Sequence, residues 1–156
     1  MSAPAGWRVR AAVGADAQAL LALRLALWPD ADDGVADDSV AELQAALAQS
    51  DAGHLLVVDD ADTALGFAEV SVRHEYVNGT ESTPVGFLEG WYVIPAWRGR
   101  GLGRALVAAA VAWTRDQGCA ELASDARLED SGAQAAHAAC GFEPTERVVC
   151  FRLQLA

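Results

Sequence analysis

Positive charge is in short supply in this 156-residue chain: eleven Lys and Arg stand against twenty-two Asp and Glu, a formal net charge of -11. Such a chain repels phosphate backbones and anionic bilayers, so nucleic acid and membrane surfaces are not its expected partners, while a polycation is drawn toward it. Long apolar runs are also missing. No stretch reaches the roughly 20 residues that span a bilayer, and the N-terminal segment Met1 to Arg8 has no apolar leader core, so a cytoplasmic location is expected. Cysteine is scarce: Cys119, Cys140 and Cys150 are an odd number at spacings that fit neither a disulfide framework nor a zinc motif. They are expected to be reduced and mostly buried. His54, His74 and His137 show no ligand spacing, so no metal is expected. Repeats and low-complexity segments are absent, and the length suits a single domain over residues 1–156.

What is present concentrates between Phe87 and Arg104. Phe87 to Ile94 is apolar and aromatic with one acid inside it, Glu89; Pro95 stops it, and Ala105 to Trp113 is a run of helix formers. The intervening Arg98-Gly99-Arg100-Gly101-Leu102-Gly103-Arg104 therefore sits at a helix entrance. Unpaired amides and the positive end of the helix dipole attract phosphate oxygens there, glycine lets a pyrophosphate approach the backbone, and arginines add charge-assisted bonds. A Rossmann turn also joins strand, glycines and helix, but this one is rich in arginine and lies past the middle of the chain, with no acidic ribose-binding residue at the expected distance.

The remaining elements read in order. Arg8 to Ala12 is a strand, and Asp16 caps a helix whose Leu20, Leu23 and Leu27 share a face and which Pro29 ends. The acidic run Asp30 to Asp38 reads as a solvated loop or an acidic rim beside Trp28, and Ser39 with Glu42 forms a capping box for a second helix. Strands follow at Leu55 to Val58, Ala64 to Arg73 and Val85 to Val93, an antiparallel meander whose last connection carries Asn78-Gly79. After the Gly101 to Gln117 helix come a strand at Glu121 to Ser124, a helix from about Ser131 to Cys140, and terminal strands from Glu146 to Leu155.

The segment Arg98 to Gly103 resembles the (Gln/Arg)-x-x-Gly-x-(Gly/Ala) signature of the GCN5-related N-acetyltransferases. Glu75-Tyr76-Val77-Asn78-Gly79-Thr80 with Pro84-Val85 and Phe87-Leu88-Glu89-Gly90, Ala123-Ser124-Asp125, and Gly141-Phe142-Glu143 with Thr145-Glu146-Arg147-Val148 are similar to a narrower group, the chromosomal-type bacterial aminoglycoside 6'-N-acetyltransferases. The likeness runs from Leu23 through Leu27-Trp28-Pro29 almost to the C-terminus. It implies an α/β (α+β) fold with a mixed central sheet flanked by helices, acetyl-CoA as cosubstrate, an aminoglycoside as substrate, and a homodimer.

Acetyl transfer from a thioester to an amine needs a deprotonated amine, a polarised carbonyl, alignment of the two, and a stabilised thiolate, none of which requires a metal. By the resemblance, pantetheine pairs with the strand at Trp91, Tyr92 and Val93, the amide of Val93 polarises the acetyl carbonyl, and the amides and side chains from Arg98 through Gly99, Arg100, Gly101, Leu102, Gly103 and Arg104 take the pyrophosphate. The same likeness places Trp28, Tyr76, Glu89, Asp125 and Glu146 on the aminoglycoside. Trp28 is otherwise the last core residue of its helix, Asp125 a helix cap, and Glu146 a surface strand residue or one supplied across a dimer. Glu89, inside the most apolar strand, is expected to be desolvated and to act as base through water, or else to form an ion pair with an arginine such as Arg73. Asp130 stands where related enzymes often carry Asn, a departure that bears on the cofactor or substrate contact there, though a carboxylate suits a cationic ligand. His137 replaces a superfamily tyrosine that protonates the thiolate; it is either the general acid or a satisfied helix residue. Outside this group, an acetyltransferase for another amine and a non-catalytic acyl-CoA sensor are the competing readings, and the acids at Glu89, Asp125 and Glu146 argue against the sensor.

Overall fold

A computed structural model of the chain describes residues 6–29, 38–49 and 51–156. In chain order its elements are β1 (Trp7–Ala11), α1 (Ala17–Leu27), α2 (Asp38–Leu47), β2 (Ala52–Asp59), β3 (Ala64–Arg73), β4 (Val85–Val93), α3 (Leu102–Asp116), β5 (Leu122–Ala123) and α4 (Ser131–Ala139), with single 3-10 turns at Gly14–Asp16 and Pro95–Trp97. The sheet follows the order β1-β2-β3-β4-β5. Its first three pairings are antiparallel and β4 with β5 is parallel, which makes it mixed. The acidic run read from the sequence falls at 30–37, outside the described residues, apart from the first residue of α2.

Each sheet face buries one helical layer, as alternation along the strands requires. Leu56, Val58 and Phe67 face Leu20 and Leu23 of α1 and Leu43 of α2. Val57, Ala68, Val70 and Leu88 face Leu102, Leu106, Val107 and Ala110 of α3. Two irregularities break the alternation. Val57 pairs with Gly66 and Val58 with Ala64, so Leu65 is an extra residue that turns into the α3 layer. Glu69 pairs with Gly90 and Val70 with Leu88, so Glu89 is the extra residue of β4.

Three expectations are corrected. Asp16 precedes α1 without capping it through its side chain; its carboxylate instead accepts from Arg10 Nη1 at 2.7 Å, Arg10 Nη2 at 2.8 Å and the Val13 amide at 2.8 Å. Residues 143–156 are exposed and unpaired, so the terminal strands expected from Glu146 to Leu155 do not form within this chain. Of the cysteines, all free, only Cys119 is buried; Cys140 is half-buried and Cys150 exposed, because Cys150 rides on that unpaired segment.

Candidate active site

The bulge decides what β4 offers. Ile94 donates to Leu65 O at 2.9 Å, so by antiparallel alternation Tyr92 also turns its peptide groups toward β3, while those of Trp91 and Val93 point the other way. On that other side β5 pairs only with Gly86 and Phe87. The outer edge of β4 is consequently open from Leu88 to Val93, and an extended chain carrying amides can add to it. Val93 O takes the Nε–H of Arg98 at 2.8 Å, which folds the start of the glycine turn back onto the strand end.

At that turn Gly101 has φ +90°, a left-handed conformation that a residue with a Cβ resists, and Ala105 makes the first helical hydrogen bond of α3 to Gly101 O at 3.0 Å. The amides of Leu102, Gly103 and Arg104 thus have no partner within the helix. Gly103 sits under Trp91, whose indole Nε1 donates to Gly103 O at 3.1 Å and whose ring would lie 3.3 Å from an added Cβ. Arg98 lies over Tyr92 at 5.4 Å and Arg100 over Trp97 at 4.8 Å, leaving their guanidinium edges to solvent. A phosphate-bearing ligand with an amide-containing tail fits this arrangement: anionic groups at the α3 entrance, tail along Trp91 to Val93.

The opposite end of the bulge carries acids and aromatics. Trp28, 39% exposed, packs its ring edge on Phe67 with centroids 6.2 Å apart, and Gly90 lets it close over β4, since a Cβ there would lie 2.6 Å from Trp28 Cη2. Trp28 and Glu89 therefore border one surface. Glu89 is not desolvated as expected: the bulge aims it outward, and its side chain is 34% exposed. Its carboxylate accepts from Ser71 Oγ at 2.6 Å, Arg73 Nε at 3.0 Å and Arg73 Nη2 at 2.7 Å. The ion pair with Arg73 is thus the arrangement adopted.

Behind it lies a pair the sequence reading missed, a buried acid with a partly exposed arginine. Glu69, one of two buried polar residues among the described residues, accepts both Nε and Nη2 of Arg24, and Arg24 O takes the amide of Trp28 at 2.8 Å. The signal was there: an acid at a core-facing strand position and an arginine four residues before Trp28 on the facing helix.

His137 is held on three sides. Its ring packs edge-on against Trp91 at 5.3 Å and Phe142 at 5.2 Å. Nδ1 lies 2.7 Å from Ala133 O and so must donate there, which leaves Nε2 of the neutral ring to accept the Ser124 hydroxyl at 2.8 Å. Asp130 is the N-cap of α4, its Oδ1 accepting from the Ala133 amide at 2.9 Å. Asp125 is exposed beyond β5 and is not a cap. Tyr76, 67% exposed, lies in the connection whose Gly79 touches Thr145, so the root of the C-terminal segment and the Tyr76 loop meet, with the exposed Glu146 next along the chain. Among the described residues no group of three His, Cys, Asp or Glu is placed to hold a metal.

Residues 19–142 match the model of the Acetyltransferase (GNAT) family. The chain is 59% identical over 147 residues to an aminoglycoside N(6')-acetyltransferase type 1 of Stenotrophomonas maltophilia, covering 94% of this chain and 93% of the relative. The enzyme of the same name from Salmonella typhimurium is 42% identical, over 83% of this chain and 87% of its own length. Among solved structures, the aminoglycoside 6'-N-acetyltransferase AAC(6')-Ih of Acinetobacter baumannii superposes with TM-score 0.87 at 36% identity, covering 97% of this chain and 100% of that one. AAC(6')-Iy in complex with the bisubstrate analogue CoA-S-monomethyl-acetylneamine gives 0.85 at 38% identity, covering 96% and 99%.

Proposed function

The chain belongs to the Acetyltransferase (GNAT) family, and from that premise we infer that it transfers the acetyl group of acetyl-CoA to the 6'-amine of aminoglycoside antibiotics in a ternary complex, conferring resistance. The observation that carries the reading is the run of β4 from an acid beside an aromatic, Glu89 by Trp28, through an open edge at Trp91 to Val93, into the arginine-rich α3 entrance. A polycationic sugar at one end and a phosphorylated acyl carrier at the other meet across that edge.

Acetyl-CoA supplies the activated acyl group as a thioester. The residues that would hold it are Arg98 to Arg104 at the pyrophosphate and the main chain of Trp91, Tyr92 and Val93 at the pantetheine, with the Val93 amide directed at the acetyl carbonyl. Asp130 spends one carboxylate oxygen on its own helix and has the other left for the cofactor. Glu89 receives the reacting ammonium and passes its proton to solvent through water; Trp28, Tyr76, Asp125 and Glu146 bind the other ammonium groups and the sugar faces. His137, through Ser124, lies on the route by which the departing thiolate regains a proton. The net charge of -11 steers the antibiotic inward, and the cytoplasm, where acyl-CoA is made, is the place of action. The enzyme works as a homodimer, a reading supported by the exposed apolar segment from Val148 to Leu155, which pairs with no strand among the described residues.

Thiol release from acetyl-CoA, measured across kanamycin-type compounds with and without a 6'-amine, tests the assignment. Turnover is expected only with that amine, and both Glu89→Gln and Asp125→Asn should lower kcat/KM by roughly tenfold or more. Indifference to the 6'-amine assigns the enzyme to another amine; unchanged rates in both variants overturn the site.

A further inference from the structure

We propose that Ser71 and Arg73 are positioning residues for Glu89, fixing its carboxylate so that a single acceptor place on Oε2 is left for a substrate ammonium or the water that bridges to it. The inference rests on the substrate-binding reading of Glu89 given above and adds the groups that make that acid selective in direction.

A carboxylate has about four acceptor places, two on each oxygen. Oε1 takes the Ser71 hydroxyl at 2.6 Å and Arg73 Nε at 3.0 Å and is filled; Oε2 takes Arg73 Nη2 at 2.7 Å and keeps one place. The three donors come from one strand, β3, across the bulge that turns Glu89 out of the core. Arg73 is itself fixed, its guanidinium lying 3.5 Å over the ring of Phe87, which is buried. Ser71 is registered directly opposite Phe87, so strand pairing sets where all three donors stand.

Folding does not explain this arrangement. Both members of the ion pair are more than a third exposed, and pairs of that kind add little stability. An exposed glutamate left alone samples many rotamers, and ordering it when substrate binds would cost affinity and alignment; held beforehand, it does not. A bidentate arginine also keeps the carboxylate planar to its fork, which fixes the direction of the free Oε2 place.

The test is steady-state kinetics with one kanamycin-type 6'-amine substrate on wild type, Ser71→Ala, Arg73→Lys, Arg73→Met, Glu89→Gln and the Arg73→Met/Glu89→Gln double variant. Arg73→Met is expected to lower kcat/KM for the aminoglycoside about tenfold, and Ser71→Ala about threefold, while KM for acetyl-CoA and the melting temperature stay at wild-type values. Arg73→Lys keeps the charge but not the fork, and should recover only part of the loss. In the Glu89→Gln background Arg73→Met should have no further effect, because its action passes through that carboxylate. Multiplying effects in the double variant overturn the proposal, as does a lower aminoglycoside KM at unchanged kcat in Arg73→Met, which would make Arg73 a mere competitor for Glu89. Wild-type kinetics in Glu89→Gln would instead remove the substrate-binding reading of Glu89, and this inference with it.

Discussion

At the scale of single residues, His137 shows how a hydrogen-bond inventory restricts chemistry. The Ala133 carbonyl can only accept, so Nδ1 carries a proton, and the neutral ring then presents a lone pair at Nε2 to the Ser124 hydroxyl. For this pair to protonate the thiolate, the ring first takes up a proton from solvent at Nε2; the imidazolium then passes it to Ser124 Oγ as the Ser124 hydroxyl proton goes to the thiolate, which restores the neutral ring and the hydroxyl. Glutamine in place of His137 can accept from Ser124 but cannot take up a proton. If the pair lies on the proton route, His137→Gln loses turnover by roughly 100-fold with acetyl-CoA affinity unchanged. Turnover near wild type, measured by thiol release alongside calorimetric acetyl-CoA binding, would assign His137 to packing between Trp91 and Phe142 alone.

At the scale of elements, the loop between β1 and α1 is held by Asp16, whose carboxyl the Arg10 guanidinium keeps below the ordinary carboxylate range, assisted by the Val13 amide and opposed by partial burial. A lowered folded value means stability that is present in full above the unfolded Asp value of about 3.9 and is lost as pH falls through the folded one. Asp16→Asn is expected to melt roughly 2–4 °C below wild type at pH 7, with the gap closing below about pH 4; a gap independent of pH would place the effect elsewhere. The elements themselves were legible because β3 and β4 are short, largely apolar runs bounded by turn residues and α3 carries a period-3.6 pattern, and the turn at Gly101 was legible because its glycines stand between a strand and a helix. Glu89 was misread for a reason of the same kind. Periodicity along β4 places it in an apolar run, whereas its orientation depends on which residue of β3 it faces, and a bulge is a property of two strands together. The Arg24–Glu69 pair escaped for want of the same partner information.

At the scale of the molecule, the C-terminal segment is the unfinished part. Val149, Phe151, Leu153 and Leu155 alternate with Cys150, Arg152 and Gln154 in the pattern of a half-buried strand, yet Phe151 is 92% exposed, and residues 143–156 make no hydrogen bond among the described residues. Beside it, β5 ends the sheet with its outer edge unpaired among the described residues, and α4 has no buried residue. Thr145 packs on Gly79 and anchors the root of the segment, so its own chain fixes where the arm starts but gives it nothing to pair with beyond that point. Exposure of so many large apolar side chains is unfavourable by roughly 1.5–3 kcal/mol each; in the proposed homodimer an exchange of arms would remove it, giving each β5 edge a strand and bringing Glu146 to the other protomer. Light scattering at micromolar concentration is expected to give twice the 16.3 kDa chain mass. Phe151→Asp should shift the mass to that of one chain while circular dichroism stays folded, since Phe151 is 92% exposed in its own protomer. If the arm completes the site, that variant also loses most of its kcat/KM, and a mixture of the impaired Glu89→Gln and Glu146→Ala chains gains activity over either alone on forming mixed dimers, in which one of the two sites has both acids. A wild-type mass of one chain, or full activity in a monomeric Phe151→Asp, would show that the arm serves neither assembly nor the site.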